Sequence, residues 1–280
     1  MTATSSVCIR LAMALLVVLA TATSCITNRY TATTTETIPV KYIPATPIHV
    51  TTRNGAIEIV GGAEGPDIVI RATIKMCGMN QAEADDRLDH VTIQCDRDDQ
   101  ERLIVRAVFA DKRRSRDGVS YLIRVPDADG AVLLTSNGSV KVRAIAGVLD
   151  IQSSNGKIEV DDHSGKVKAR ASNGSITVQD VSGPVDAHTS NGGVTVNLRS
   201  DAPGPLAIRT SNGRVTVTVG EGFAGTIHAG TSNGRIRFNN KTGLDVGKRL
   251  EKRSGSLQFP RQGKDSKIRS SNGSVTVTVK

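Results

Sequence analysis

The chain has 280 residues, of which 38% are hydrophobic, 22% charged and 2% aromatic, and it carries a formal net charge of +9. This amount of apolar material can bury a sizeable core, which excludes an intrinsically disordered chain. Gly contributes 27 residues and Trp none, and the abundance of β-branched and turn-forming residues predicts many short strands and excludes a mainly helical protein.

The first 25 residues are predicted to be an export signal. Arg10 precedes an apolar run at 11–20, which is too short to span a bilayer as a permanent helix. The segment Ala22-Thr23-Ser24-Cys25 resembles a bacterial lipobox, which implies acylation of the Cys25 thiol and anchoring in a membrane. The alternative is an ordinary secretory signal cleaved near this point. The Thr-rich stretch 26–38 is predicted to be a flexible tether.

The cysteine pattern agrees with export. Cleavage of the signal would remove Cys8 and acylation would occupy Cys25, which leaves Cys77 and Cys95 as an even pair in an oxidising compartment. We therefore predict a disulfide between them, worth about 3 kcal/mol by loop-closure entropy. Two buried free thiols are the alternative.

The region from 39 to 130 is predicted to be a β-rich cap on the repeats that follow it. Asn54-Gly55 lies in an outlying copy of the later repeat, and Asn80 is expected to cap a short helix at 80–88. Strands are predicted at 67–74, 91–94, 103–109 and 119–125. Such a cap would cover the open end of a stack of repeats.

Residues 131–280 repeat a Ser-Asn-Gly core. The glycines of these copies, including one degenerate copy at Gly255, are Gly138, Gly156, Gly174, Gly192, Gly213, Gly234, Gly255 and Gly273. Their successive intervals are 18, 18, 18, 21, 21, 21 and 18 residues. A period near 20 indicates stacked supersecondary units. Apolar residues alternate with polar ones on both sides of each turn, so each repeat is predicted to supply two short strands.

Two architectures fit this pattern, an antiparallel meander and a parallel β-solenoid. The near-identity of the turns favours the solenoid, with right-handed crossovers, because stacked turns can hydrogen-bond their asparagine amides in a ladder. The ladder is predicted to contain Asn137, Asn155, Asn173, Asn191, Asn212, Asn233 and Asn272. The adjacent glycines are expected to supply the positive φ of the corner. The predicted fold class is thus an all-β solenoid of period 18 to 21, preceded by a cap with one helix.

The motifs together resemble a known family. Asn-Gly-Ala-Ile-Glu-Ile at 54–59, the helical segment at 80–88, Val-Ser-Tyr-Leu-Ile-Arg-Val-Pro at 119–126 and the serial Ser-Asn-Gly copies are similar to the bacterial putative adhesin family of β-repeat proteins. The resemblance covers about 47–280 and implies a β-solenoid at the cell envelope, with no catalytic residues. The copy at 248–254 departs from the motif.

Constellations that could carry chemistry are weak. The five histidines are scattered, and Asp161-Asp162-His163 is the best local cluster, with a solvated turn as the more ordinary explanation. Asp180, Asp186 and Asp201 could line one side of successive turns as calcium ligands, yet the repeat of calcium-binding solenoids is missing. We predict no catalytic residue, metal site or cofactor.

Function is therefore predicted from location and charge. Basic clusters at Lys112–Arg116 and Lys248–Arg253 could contact anionic envelope polymers or lipid head groups. Nucleic acid is not expected as a partner, because the chain is exported and the clusters lack aromatic residues. The favoured function is a non-catalytic, adhesin-like surface protein, membrane-anchored in the envelope or else periplasmic or secreted. The alternatives are a self-assembling scaffold and a polysaccharide-cleaving enzyme.

Overall fold

The computed structural model describes residues 30–280. The expectation of an all-β protein with one short helix is confirmed, with 57% of the residues in strands. The strands join into a single 22-stranded sheet. This sheet bends around one core and forms a nearly closed, barrel-like wall. The predicted signal peptide, with Cys8 and Cys25, lies outside the described residues.

The N-terminal elements include all four strands predicted between residues 67 and 125. They are β1 (Tyr30–Lys41), β2 (Ile48–Thr51), β3 (Ile57–Val60), β4 (Asp67–Gly78), α1 (Gln81–Asp86), β5 (Val91–Arg97), β6 (Leu103–Phe109) and β7 (Gly118–Arg124). Helix α1 begins where predicted, because the side chain of Asn80 accepts a hydrogen bond from the backbone N–H of Glu83 at 2.8 Å. The Glu83 carboxylate accepts in turn from the N–H of Met79, which completes a reciprocal cap.

The central elements are shorter and more regular. They are β8 (Asp129–Thr135), β9 (Val140–Ser153), β10 (Ile158–Ser164), β11 (Val167–Ala171), β12 (Ile176–Val181), β13 (Val185–Thr189), β14 (Val194–Leu198), β15 (Leu206–Thr210) and β16 (Val215–Val219). The C-terminal strands are β17 (Thr226–Thr231), β18 (Ile236–Asn240), β19 (Gly247–Leu250), β20 (Ser254–Gln258), β21 (Ser266–Ser270) and β22 (Val275–Val279).

Two strands joined by an Asn-Gly turn form what we call a rung, and neighbouring rungs pair in parallel. In one row Val140 pairs with Ile158, and Ile158 pairs with Ile176. In the other row Ile151 pairs with Ala169, and Ala169 with Ala187. The offset is the 18-residue repeat, so equivalent side chains of successive rungs lie above one another. The extra residues of the first 21-residue interval fall in the loop at 199–205, between β14 and β15.

The inward side chains of both rows form the core predicted from the alternation. Val140, Ile158 and Ile176 have no exposed surface, and the same is true of Ile151 and Ala169 across the core. Burying an aliphatic side chain of this size contributes about 1.5–3 kcal/mol. The exception is Leu250 of the degenerate copy, which is 49% exposed on β19. That copy does not form a rung.

The Thr-rich stretch that was expected to be a tether belongs to the sheet. β1 pairs antiparallel with β4 over its whole length, from Tyr30 opposite Gly78 to Lys41 opposite Asp67. Thr has a high preference for a pleated, half-exposed surface, which explains why a run of threonines forms a strand beside an available edge. The tether predicted at 26–38 is therefore wrong from Tyr30 onwards.

Both ends of the stack depart from the order of the sequence. Near the N-terminus, β2 lies between β6 and β8, and β3 lies between β7 and β9, so the first rung is inserted between later ones. Near the C-terminus, β21 lies between β15 and β17, and β22 lies between β16 and β18. The strand Val275–Val279, the last strand in the sequence, is thus an interior strand of the stack.

The glycines of the Ser-Asn-Gly turns have a different role from the one expected. The positive-φ glycines of the described chain lie elsewhere, at Gly62, Gly65, Gly130, Gly147, Gly165, Gly204 and Gly225. At the turn the limit is distance: a Cβ on Gly156 would lie 1.7 Å from the carbonyl oxygen of Gly138, and one on Gly174 would lie 1.9 Å from that of Gly156. Glycine is required because successive turns stack backbone to backbone.

Candidate functional site

The asparagines of the turns form one continuous ladder on the outer edge of the stack. In each rung Nδ2 donates to Oδ1 of the Asn in the neighbouring rung, at 2.7–2.9 Å. The spatial order is Asn54, Asn137, Asn155, Asn173, Asn191, Asn212, Asn272 and Asn233. Asn54, which was absent from the predicted set, begins the ladder and donates to the carbonyls of Ser115 and Asp117 at 2.7 and 2.8 Å.

A second column of hydrogen bonds explains the Thr or Ser that opens most turns. Thr189 donates from Oγ1 to the carbonyl of Gly174, and Thr210 donates to that of Gly192, both at 2.8 Å. The same bond is made by Thr135, Ser153, Ser270 and Thr231 to the glycine of the neighbouring rung. These hydroxyls and the Asn amides are occupied by the frame itself, so the turn motif is structural.

The predicted disulfide is absent from the structure. Cys77 and Cys95 are free thiols, Cys77 buried at the end of β4 and Cys95 half-buried on β5. These strands are not paired with each other, since β4 pairs with β1 and β7, whereas β5 pairs with β6. Burial raises the pKa of the Cys95 thiol to about 11, so the thiol stays protonated near neutral pH.

The basic cluster at Lys112–Arg116 lies beside a buried ion pair, and its side chains largely contact other residues of the protein. Arg87 of the segment after α1 forms a buried ion pair with Asp117, with Nη2 and Oδ2 2.8 Å apart. Burial pushes the pKa of Asp117 upward, but hydrogen bonds from Arg87 and from the N–H groups of Arg114 and Cys77 outweigh it and lower the pKa. Arg114 also binds Glu83, and Arg113 lies 4.6 Å above the ring centre of Phe109.

The Asp161-Asp162-His163 cluster is not assembled. Asp161 pairs with Arg143 at 3.2 Å, and Asp162 pairs with Arg199, both on the outer surface. His163 points into the core in the column of Ile145 and Val181, and its Nε2 lies 3.1 Å from the carbonyl oxygen of Gly147. Burial lowers the pKa of His163 below its ordinary value. The three groups therefore do not share a site.

The aspartates proposed as calcium ligands are not gathered either. Asp180 has a left-handed backbone with a φ of 50°, and Asp186 lies 3.6 Å from Arg170 as an ion pair. Within residues 30–280 there is no group of three or more His, Cys, Asp or Glu residues placed to hold a metal ion.

A concavity lies at the C-terminal end of the stack, where the β19–β20 hairpin borders the outer face of β15, β21 and β17. We call it the basic cleft. Its volume is about 920 Å³. Its ionisable lining residues are Arg209, His228, Arg249, Glu251, Arg253, Lys267 and Arg269. Serine and threonine hydroxyls supply most of the remaining lining, which contains no Phe, Tyr or Trp.

Strand register explains the shape of the basic cleft. One row of outward residues runs from Arg209 to Arg269, then to Gly230 and Ser254. The next row runs through Lys267, His228, Ser256 and Arg249. Gly230 and Ser254 of the first row and Ser256 of the second row leave a hollow, and a Cβ added to Gly230 would meet nothing within 4 Å. Cations therefore flank a floor of small side chains.

Three cations of the basic cleft, those on β15 and β21, lack the carboxylate partners found elsewhere on the same face. In the centre of the stack, Lys168 binds Asp150 at 2.6 Å and Arg170 lies 3.6 Å from Asp186. Arg209, Lys267 and Arg269 form no ion pair with any carboxylate of residues 30–280. Glu251, the acidic lining residue, is paired with Arg249 at 3.0 Å.

Only one part of this site was predicted from the sequence. The cluster at 248–253 contributes Arg249 and Arg253, but the cations on β15 and β21 were not proposed. The available signal was the outward position four residues before Gly213 and Gly273, which holds an arginine in both copies, Arg209 and Arg269. The spatial adjacency of these copies was not visible, because it depends on the insertion of β21.

Comparisons with known proteins give the following similarities. A domain of unknown function (DUF7330) matches residues 122–246. No curated protein sequence matches the chain significantly.

Among residues 30–280, no helix has the length and apolar character needed to cross a membrane.

Solved structures similar to this chain include three with adhesion in their names. A putative adhesin from Bacteroides fragilis NCTC 9343 is 11% identical, covers 88% of this chain and 97% of its own, and gives a TM-score of 0.49. A putative adhesin from Parabacteroides distasonis ATCC 8503 is 12% identical, with coverages of 89% and 97% and a TM-score of 0.42. A putative cell adhesion protein from Clostridium sporogenes ATCC 15579 is 9% identical, with coverages of 89% and 100% and a TM-score of 0.36.

Proposed function

We propose that this chain is a non-catalytic, adhesin-like surface module of the bacterial cell envelope, built as a right-handed parallel β-solenoid. In this proposal acylated Cys25 holds the module on a membrane, and its outer face contacts anionic envelope polymers. The described chain begins its first strand at Tyr30, so a lipid on Cys25 would hold the stack close to the membrane surface.

The observation that supports this proposal is the continuity of the outer face. Strands of neighbouring rungs pair in parallel with an offset of one repeat, so outward side chains form columns along the stack. Repeat proteins with this kind of continuous surface bind extended partners along it. The hydroxyl and amide groups of the turns are bonded within the frame, which keeps the surface rigid and in register.

The proposal is tested in cells that express the full-length protein and its Cys25→Ala variant. We expect palmitate labelling, membrane fractionation and surface accessibility to protease for the wild type, and loss of label and membrane association in the variant. Cells carrying the wild type should also attach more strongly to surfaces coated with anionic envelope polysaccharide. An unlabelled protein found only in the soluble fraction would contradict the anchor, and unchanged attachment would contradict the adhesive role.

The non-catalytic part has its own test. The purified protein is incubated with a panel of anionic glycans, and chain length is followed by size-exclusion chromatography. We expect no shortening of any glycan. Cleavage that persists through purification and disappears in an Asp161→Asn variant would favour the polysaccharide-cleaving alternative.

A further inference from the structure

We propose that the basic cleft is the ligand-binding site of this protein and that its ligand is a linear anionic polysaccharide. This inference rests on the proposed function only in the choice of a polysaccharide over other polyanions. The site itself follows from the arrangement of Arg209, Lys267, Arg269, Arg249 and Arg253 around a hollow floor.

Two neighbouring arginines of the basic cleft carry charge that no carboxylate of the described residues compensates. Arg209 and Arg269 are direct neighbours on paired strands, and like charges in that relation destabilise a sheet. At the matching outward positions in the centre of the stack, Lys168 and Arg170 have carboxylate partners. An anionic ligand in the cleft would supply the missing partner for the two arginines.

The separation of the cations across the sheet limits the size of the ligand. Arg209 on β15 and Arg249 on β19 are separated by β21, β17 and β20 in the sheet. Adjacent strands lie about 4.8 Å apart, so one small anion cannot neutralise the cations on both walls at once. A chain with several anionic groups can do so, and the open floor at Gly230 and Ser254 gives it room.

The chemistry of the lining favours a sugar chain. Hydroxyls of Ser232, Ser256 and Ser271 join the cations in the lining, and they can exchange hydrogen bonds with sugar hydroxyls. Single-stranded nucleic acids are bound by stacking on the rings of Phe, Tyr and Trp, and this lining contains none of these residues. A lipid surface is flat, whereas the cations here face a concave floor. Charge and hydroxyl contacts therefore favour a polysaccharide.

The test uses full-length protein carrying Cys25→Ala, so that an acyl chain does not contribute to binding. Affinity is measured for dextran sulfate, with unsulfated dextran as the neutral control. Lys267→Ser/Arg269→Ser removes two cations from the cleft. Lys168→Ser/Arg170→Ser is the matched control, since it removes a Lys and an Arg from the equivalent positions of β11 and changes the net charge equally.

We expect binding to dextran sulfate but not to dextran, weakened roughly 10-fold or more by the cleft variant and less than about 2-fold by the control. Binding should also weaken steeply with ionic strength. Gly230→Val, which fills the floor without changing charge, should weaken binding as well. Circular dichroism and melting curves check that the variants are folded.

Several results would overturn the proposal. Equal losses in the two double variants would mean that net charge, and not the cleft, controls binding. Binding to single-stranded DNA, or to vesicles of phosphatidylglycerol with phosphatidylcholine, that is tighter than binding to dextran sulfate would assign the cleft to another ligand. Displacement of dextran sulfate by inorganic phosphate at equal charge concentration would assign the cleft to a small anion. The binding assay uses soluble protein, so a failure to bind dextran sulfate would not contradict the proposed envelope location. Mislocalisation in cells would likewise not contradict ligand binding in the basic cleft.

Discussion

The centre and the C-terminal end of the stack are built from the same repeat but differ in the order of their rungs and in the pairing of their outward cations. From β9 to β16 the rungs follow one another in space as they do in sequence, and outward cations such as Lys168 are paired with aspartates. At the C-terminal end the last rung is inserted before the preceding one, a hairpin replaces a rung, and Arg209 and Arg269 meet without a carboxylate.

This difference shows that the inward face of a repeat determines packing in the core, whereas the outward face determines the charges of the surface. The inward face needs only apolar side chains at alternate positions, which Ile268 and Val275 supply as well as Ile151 and Val140 do. The inward faces of these rungs are therefore chemically alike. The order of the rungs decides which outward residues become neighbours, and the inserted rung is what assembles the basic cleft.

The largest expected effect comes from deleting residues 266–280. If the last rung were simply the end of the stack, its loss would shorten the molecule, but here it opens a gap between β15–β16 and β17–β18. We expect the free energy of unfolding to fall by at least about 5 kcal/mol, since Ile268, Val275, Val277 and Val279 lose their burial.

Urea denaturation measures this loss. A synthetic peptide of residues 266–280 should restore part of the stability, whereas a scrambled peptide of the same composition should not. A truncated protein that unfolds at the same urea concentration as the full chain would contradict the insertion.

A smaller effect is expected from Gly174→Ala in the centre of the stack. The new Cβ would lie 1.9 Å from the Gly156 carbonyl oxygen, so the rungs must move apart. We expect a loss of roughly 3 kcal/mol in the free energy of unfolding. Gly243→Ala is the control, because nothing lies within 4 Å of its Cβ. Its melting temperature should match that of the wild type, and equal losses in the two variants would contradict a role for rung spacing.

The asparagine ladder allows the centre and the end to be compared directly. Asn173→Ala breaks two hydrogen bonds, to Asn155 and from Asn191, whereas Asn233→Ala at the end of the ladder breaks one, to Asn272. We expect losses of about 2 and about 1 kcal/mol in the free energy of unfolding. Thermal or urea denaturation checks the ratio, and a larger loss at Asn233 would reverse the ladder order derived from the structure.

The smallest effect is a pH dependence in the centre of the stack. Burial lowers the pKa of His163 below 6.5, so the unfolded chain takes up a proton at a higher pH than the folded chain does. Wild-type stability should therefore fall as the pH drops below about 6.5, relative to a His163→Val variant that continues the Ile145–Val181 column. Urea denaturation at several pH values measures the difference, and parallel curves for the two proteins would contradict the burial of His163.

Several local features could be predicted because they depend on neighbouring residues. The Asn80 cap, the strands at 67–74 and 103–109 and the alternation around Ile158 follow from capping, strand propensity and period-two burial. The tether predicted at 26–38 was wrong from Tyr30 onwards, because threonines are compatible with both a flexible segment and a strand, and the edge of β4 selects the strand.

The candidate site was less predictable, since its residues come from separate parts of the chain. Arg249 and Arg253 belong to a basic cluster that is visible in the sequence. Arg209 and Arg269 are 60 residues apart in sequence and are adjacent only through the pairing of β15 and β21. The expected disulfide failed for a similar reason: Cys77 and Cys95 are near in sequence, but their strands pair with different partners.

The residue pattern alone identifies this protein as an all-β chain with inward columns of Val, Ile and Ala and a recurring Asn-Gly turn. These properties are repeated in each copy and follow from patterns within it. The reason that the turn requires glycine, the stacking of successive turns, is not visible within one copy. Only the tertiary structure decided the order of the rungs, the free state of the cysteines and the neighbours of each outward charge. The physical reason is that the apolar inward faces of the copies are nearly interchangeable, so closure of the sheet, and not local sequence, selects which rungs meet.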